Sequence, residues 1–332
     1  MSLLNNCLSR RRFLHIVASS PAMCPLNSYS QHFVESQTPV IWRGTALGAL
    51  ASIELYHNSP AVAKNLIKQS LTELERLEKI FSLYRTESAL STLNRNGLLL
   101  APPTDLLKLL SMCVTYHVLT HGAFDPSVQP LWELYASHFS VPDPDPDGPD
   151  ESHIQLALSR VGLTKIVLAS DRIVLAPGMG LTLNGIAQGY ITDRVTDLLR
   201  AGGVEHVLVD LGEMRLIGRP KRRLWRVGLE DPDHPGNVAQ TLEVEDCAIA
   251  TSGGYGFHFD SRSKFTHLFD PHTGRSPKFY KSVSVVSPTA TAADALSTAF
   301  ATMPLEEIKR VLSTVGDSKA YLTSADGSKQ SL

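Results

Sequence analysis

The sequence predicts an α+β protein, mixed sheets with packed helices. Two kinds of apolar pattern carry that prediction. Leu66, Leu71, Leu74 and Leu77 recur at helical spacing, and the second half of the chain is rich in short apolar runs bounded by Gly and Asp. The two kinds of segment do not alternate regularly, which argues against a doubly wound parallel sheet.

Taken in order, residues 44 to 57 carry small and β-branched side chains and read as one strand entered through Gly44-Thr45. Pro60 is suited to open the amphipathic helix that follows, because its missing N–H is one that a first turn leaves unpaired. A second helix runs from about Pro103 to Leu119. The run from Val141 to Asp150 alternates Pro and Asp, which supports neither helix nor sheet, and reads as a solvated loop. Strands near Lys165–Ala169 and Arg172–Leu175 flank a Ser170-Asp171 turn. A helix over Gly185–Arg200 is closed by Gly202-Gly203. Further strands are expected at His206–Asp210, Met214–Ile217, Trp225–Leu229, Gln240–Val244, Ala248–Ala250, Phe265–Phe269 and Val283–Val286. Helices over Thr291–Met303 and Leu305–Val315 follow.

At 332 residues, with 43% apolar and 19% charged side chains, the chain is long enough for one large or two medium domains. Its 31 Lys+Arg and 33 Asp+Glu leave a formal net charge of -2, which offers no nucleic-acid footprint and no general attraction to anionic lipid. No apolar run is long enough for a membrane span in the mature chain. The four cysteines are too few for a disulfide scaffold. Cys113 and Cys247 sit in apolar patterns and read as buried, inert thiols, with a disulfide between them left open.

The N-terminus reads Ser9-Arg10-Arg11-Arg12-Phe13-Leu14-His15, followed by a short apolar stretch broken by Pro21 and Pro25. A basic start and a modest apolar run match a twin-arginine export signal rather than a span. Residues 1–33 are therefore expected to be signal peptide and disordered lead. A periplasmic protein with one domain over 40–320, carrying the Pro/Asp loop at 141–150, follows.

Four stretches could carry chemistry. Phe81-Ser82-Leu83-Tyr84-Arg85 through Asn94 leaves a helix into a polar loop. Gly122-Ala123-Phe124-Asp125-Pro126 allows close backbone approach and displays a carboxylate at a turn. Leu181-Thr182-Leu183-Asn184-Gly185-Ile186-Ala187-Gln188-Gly189-Tyr190 places small residues at a helix start, where backbone N–H groups suit an anion such as phosphate. Neither GxGxxG nor GxxxxGK(S/T) occurs, so the common nucleotide motifs are missing. The fourth stretch runs from Thr251-Ser252-Gly253-Gly254 through His267 and Asp270 to Asp294 and Thr298. The last two, four apart on a helix, share a face and can aim oxygens at one point, a set suited to Mg²⁺. On spacing alone such a pair is more often simply exposed, and His267 alone reads as a structural histidine. His267, Asp270 and His272 lack the further ligands that zinc spacing requires.

Together and in this order, these stretches resemble the ApbE-type flavin transferases. Arg43-Gly44-Thr45, Phe81 to Asn94, Gly122 to Pro126, Leu181 to Tyr190, Ala250 to Gly253, His267 to Gly274 and Ala293 to Thr298 match seven family motifs across residues 42 to 315. The variant Leu-Asn-Gly-Ile-Ala-Gln-Gly-Tyr is most similar to the branch serving nitrous oxide reductase maturation. The resemblance implies an ApbE-like fold and a Mg²⁺-dependent enzyme. Such an enzyme takes FAD as substrate, passes FMN to a Thr or Ser hydroxyl of an exported or membrane-anchored acceptor, and releases AMP. It implies metal binding by Asp294, Thr298 and the Gly185 carbonyl. Tyr84, Ala123, Phe124, Asp125, Thr182, Gln188 and His267 would contact the cofactor, with His267 and Asp294 catalytic. Departures are Arg43 for Met, Thr182 for Asp, Asn184 for Gly, and Gln188 for Lys; Ser297 stands where some members have a second acid. Thr182 and Gln188 keep a second reading open, a non-catalytic FAD-binding carrier or maturation factor for a periplasmic respiratory system. A flavin oxidoreductase has little support, since no redox cysteine pair is present.

Overall fold

The structure, a computed structural model, describes residues 14–16, 38–46 and 48–332. Most of the segment read as an export signal lies outside the described residues; of it, Leu14–Ile16 (β1) is a short strand. Val40–Ala46 (β2) and Ala49–Tyr56 (β3) pair antiparallel, Val40 opposite Leu55. The single strand expected over 44–57 is thus a hairpin. Gly48, at φ 79, takes a left-handed conformation that turns the chain back.

Pro60–Phe81 (α1) is capped by Ser59, whose side chain accepts from Val62 N, and buries Ala63, Leu66, Ile67, Leu74, Leu77 and Ile80 along one stripe. Ala89–Asn96 (α2), capped by Ser88 and ended by Gly97, leads into Leu98–Leu100 (β4) and Thr104–Leu119 (α3). Gln129–His138 (α4) and Glu151–Leu158 (α5) flank the Pro/Asp loop. Val167–Leu168 (β5) and Arg172–Val174 (β6) complete a small sheet with β4. Ala187–Ala201 (α6) precedes His206–Asp210 (β7), Met214–Ile217 (β8), Trp225–Glu230 (β9) and Val238–Val244 (β10). Cys247–Ser252 (β11), Tyr280–Ser287 (β12), Ala290–Phe300 (α7), Leu305–Val315 (α8), Lys319–Ser324 (β13) and Lys329–Ser331 (β14) finish the chain.

The main sheet has eight strands in the order β14-β13-β12-β11-β8-β7-β3-β2, and every neighbouring pair is antiparallel. Because strand side chains alternate faces, β7 sends Val207 and Val209 into the helix-covered core and Leu208 to the other side. Strand β11 does the same with Ala248 and Ala250 against Ile249. The far face is covered by the β9–β10 ribbon through Trp225, Val227, Leu229 and Leu242; β1 pairs with β9. The expected α+β architecture with mixed sheets and packed helices is what folds.

Two local expectations change. Phe265–Phe269 is not a strand, since only Thr266 makes a bridge, to His258. Side chains take its backbone donors instead: Phe265 N donates to Asp260 Oδ1, and Thr266 N to Ser276 Oγ. The Pro/Asp loop is only partly solvated. Gly148 and Pro149 are buried, and a Cβ on Gly148 would lie 2.7 Å from the Phe265 ring. Phe265 belongs to an aromatic cluster with Tyr135, Phe139, Phe259 and Phe269. Cys113 and Cys247 are both free, so the open disulfide is not formed. Burial pushes both thiols up, Cys247 to about 11, which keeps them protonated and unreactive near neutral pH.

Candidate functional site

The motif stretches are tied to one another by hydrogen bonds between distant parts of the chain. Asn94, at the end of α2, donates Nδ2 to Leu181 O at 2.8 Å and accepts from Leu181 N at 2.8 Å. The side-chain amide thereby replaces a strand partner for Leu181. One residue on, Thr182 N donates to Pro126 O at 2.7 Å, which fastens the Asp125-Pro126 turn beneath the same loop. Asp125 itself is buried and committed to the chain. Its Oδ1 accepts from Ser127 N and Ser127 Oγ, and its Oδ2 from Leu163 N at 3.1 Å, with His117 Nδ1 at 3.4 Å. Phe124 is also buried, edge-on to Tyr116, while Ala123 is half-buried. Asp125 and Phe124 are therefore engaged by the chain's own Ser127, Leu163 and Tyr116.

The centre of the arrangement is the contact between α6 and α7. Gly189, in the first turn of α6, lies so close to α7 that a Cβ would fall 2.3 Å from Ala290 O. Across that contact, Gly189 N donates to Asp294 Oδ2 at 3.0 Å. In the opposite direction, Asp193 of α6 accepts from Ala290 N at 2.9 Å and from Thr291 N at 2.8 Å. These are N–H groups that a helix start leaves without intrahelical partners. Arg215 of β8 pairs with Asp193. Asp294 is buried on the α6 side of α7, and one turn further Thr298 meets the loop before α6. A Cβ on Gly185 would sit 2.8 Å from Thr298 Oγ1. Ser252, ending β11, places its Oγ 2.9 Å from Ser297 Oγ and 3.4 Å from Thr298 Oγ1. Gly185, Ser252, Ser297 and Thr298 thus meet at one junction, and Asp294, one turn before Thr298 on α7, faces Gly189 at the start of α6.

Tyr84, Asn184 and Gln188 line a small pocket of about 20 Å³ adjoining the loop of Gly185, together with Phe81, Ser82, Leu83 and Ala187. Tyr84 is exposed, whereas Gln188 is buried and donates Nε2 to Leu211 O at 3.3 Å. The Thr182 hydroxyl accepts from Asn184 N at 3.3 Å, so its side chain also shapes the loop. His267 lies in the segment after Ser252, next to Thr266, against which a Cβ on Gly254 would fall at 2.8 Å. Its Nδ1 lies 3.4 Å from Phe257 O, and its ring packs edge-on against Phe257. An Nδ1–H directed at that carbonyl puts the proton-accepting lone pair on Nε2.

Sequence reasoning missed Asp193 as an organiser of the site and named Asn94 and Ser252 only as members of motif stretches. Asp193 left a faint signal, one helical turn after Gly189, but nothing in the sequence names Ala290 as its partner. Among the described residues, no group of three or more His, Cys, Asp or Glu is placed to hold a metal. Asp270, one member of the zinc set already disfavoured by spacing, accepts from His272 N and Thr273 Oγ1 in a turn. A cavity of about 190 Å³ lies elsewhere, between the β9–β10 ribbon and β12–β14.

The model of the ApbE family matches residues 47–322. The chain belongs to the ApbE family. Among its relatives is the FAD:protein FMN transferase of Treponema pallidum, 31% identical over 280 residues that span 76% of this chain and 75% of that protein. The FAD:protein FMN transferase of Vibrio cholerae is 30% identical over 273 residues, 78% of this chain and 80% of the relative. In solved structures, the flavin transferase ApbE from Vibrio cholerae superposes with a TM-score of 0.76 at 26% identity, covering 89% of this chain and 97% of that one. The ApbE protein of Thermotoga maritima gives 0.77 at 25% identity, covering 88% and 96%. The ApbE-like fold expected from the motifs is therefore the fold of this ApbE-family chain.

Proposed function

We propose that this protein is an FAD:protein FMN transferase: with Mg²⁺ bound, it transfers FMN from FAD to a Thr or Ser hydroxyl of an acceptor protein and releases AMP. The observation that carries the reading is that α7 sets Thr298 against Gly185 and Asp294 against Gly189, on either side of the start of α6. The relatives' shared activity name supports the reaction. A carboxylate, a hydroxyl and a backbone carbonyl form an all-oxygen donor set, which fits a hard cation such as Mg²⁺. Bound there, the cation would neutralise charge on the pyrophosphate oxygens.

The remaining work belongs to the chain's own groups. Tyr84, Asn184 and Gln188 would line the flavin nucleotide. Gln188 supplies no charge toward the phosphates, and its amide is spent partly on Leu211. His267 would accept the hydroxyl proton through Nε2 while the acceptor oxygen bonds to the FMN phosphorus. The bond from that phosphorus to the bridging oxygen breaks, and AMP leaves with the oxygen. The Arg10-Arg11 signal supports export to the periplasm, where an exported or membrane-anchored acceptor would meet the enzyme. Among the described residues, no helix is long and apolar enough to cross a membrane.

The test incubates the protein with FAD, Mg²⁺ and candidate exported acceptors, and measures AMP together with the acceptor's mass. AMP release and an FMN adduct on a Thr or Ser peptide are expected. Asp294→Ala should lower turnover at least a hundredfold while retaining FAD binding. Tight FAD binding with neither product would overturn the transferase reading in favour of a carrier.

A further inference from the structure

We propose that Asp193, which is not among the residues that would touch the cofactor or the metal, is the positioning residue that sets the metal-binding face of α7. The inference rests on the metal-site reading above. Asp193 makes three bonds to the start of α7: from Ala290 N at 2.9 Å, Thr291 N at 2.8 Å and Thr291 Oγ1 at 2.6 Å. Asp294 returns one bond, from Gly189 N. Each carboxylate thus sits at the N-terminal turn of the other's helix, where the helix dipole is positive. Arg215 anchors Asp193 to β8, so the position of α7 is referred to the main sheet as well as to α6.

These bonds matter because, apart from Leu296, Phe300 and the Ser252–Ser297 contact further along, the buried face of α7 is built largely from small residues. Ala290, Ala293, Ala295 and Ala299 are all buried, and packing of such small apolar groups is non-directional. Small residues allow a helix to slide or rotate at little cost; hydrogen bonds to its end do not. Asp294 and Thr298 ride on the second and third turns of α7. A shift at Ala290 therefore moves both their oxygens relative to Gly185. The expected consequence is a loss of metal affinity with FAD binding preserved.

The experiment measures Mn²⁺ binding to the FAD-loaded protein by the loss of the free-ion paramagnetic resonance signal, and FAD binding in EDTA by flavin fluorescence. Asp193→Ala and Thr291→Val are compared with the parent, Asp193→Asn and Asp294→Ala. Thr291→Val removes one bond and leaves the Arg215 pair intact, so it serves if Asp193→Ala fails to fold. Support for orienting groups of this kind typically tunes metal affinity 10- to 100-fold. Asp193→Ala is expected to raise the Mn²⁺ dissociation constant at least tenfold, and Thr291→Val about threefold. FAD affinity should change less than twofold, and Asp193→Asn, which keeps an acceptor oxygen, should recover part of the loss. Parental Mn²⁺ affinity in folded Asp193→Ala and Thr291→Val proteins would overturn the proposal. Equal losses of Mn²⁺ and FAD affinity would do the same, by showing a general structural role. Parental Mn²⁺ binding by Asp294→Ala would instead sink the metal-site reading and this proposal with it.

Discussion

Gly189→Ala adds one methyl group where α6 and α7 touch. The new Cβ would lie 2.3 Å from Ala290 O, 2.6 Å from Ala290 C and 2.8 Å from Thr291 N. All three are backbone atoms, so no side chain can rotate away. Ordinary contact begins near 3.4 Å, so the helices must separate by about 1 Å. Replacing a helical Gly by Ala favours folding by about 0.5–1 kcal/mol. Overpacking costs about 1–3 kcal/mol, and stretching the 3.0 Å Gly189–Asp294 bond adds about 1 kcal/mol. The steric cost wins, and a net destabilisation of about 1–3 kcal/mol is expected. Function should suffer more than stability, because a displacement of about 1 Å at a reacting centre can cost about a hundredfold in rate. The assay pairs thermal unfolding with the proposed reaction, read as AMP formed from FAD with Mg²⁺ present. A Gly189→Ala protein as stable and as active as the parent would refute the claim that this contact holds Asp294 in register.

Asn94→Ala removes both partners of the buried Leu181 backbone; a loss of about 2 kcal/mol is expected, read as a drop of about 5 °C in melting temperature, with Asn94→Asp intermediate because it keeps only the acceptor. The pH dependence of stability should carry a signature from Asp105. Burial pushes its carboxyl up, but hydrogen bonds from Tyr190 and Arg76 outweigh this and hold it below the usual range. A depressed folded value means that the unfolded chain binds the proton first. The stabilisation is therefore present above about pH 4 and is lost as pH falls through the folded value. Thermal melts from pH 6 down to pH 3 should show a shallower acid loss in Asp105→Asn than in the parent; identical slopes would show that the Tyr190–Asp105–Arg76 bonds contribute nothing. His267→Ala should lower transfer to a protein acceptor at least a hundredfold with FAD affinity changed less than threefold, measured by acceptor mass and flavin fluorescence.

The structure corrects the sequence reading where short elements or long-range partners decide the outcome. Helix α1 was legible because eight buried positions share a stripe and Ser59-Pro60 marks its start. The eight-residue α2 and α5 were missed, since two turns hold too few repeats to establish a period. Phe265–Phe269 imitates a strand by composition, but Asp260 and Ser276 take donors that a neighbouring strand would need. Gly48 converts one expected strand into two, because a left-handed residue inside an apolar run is invisible to alternation.

The candidate site divides along the same line. Asp294 and Thr298 could be placed on one helical face from spacing alone, and the ordered motifs pointed to one family. Asp125 was read as a displayed carboxylate, yet the fold turns it inward, where its oxygens hold the chain's own Ser127 and Leu163.

The sequence by itself determined the α+β mixture of helix and strand patterns, because that depends on local periodicity, and its ordered motifs resembled one family. Only the tertiary structure decided that Gly189 and Asp294, 105 positions apart, share a hydrogen bond, and that Asp193 caps the opposing helix. The physical reason is that local propensity specifies an element without specifying its neighbour. The neighbour is chosen when apolar faces pack and leave a few buried N–H groups that only one carboxylate can reach.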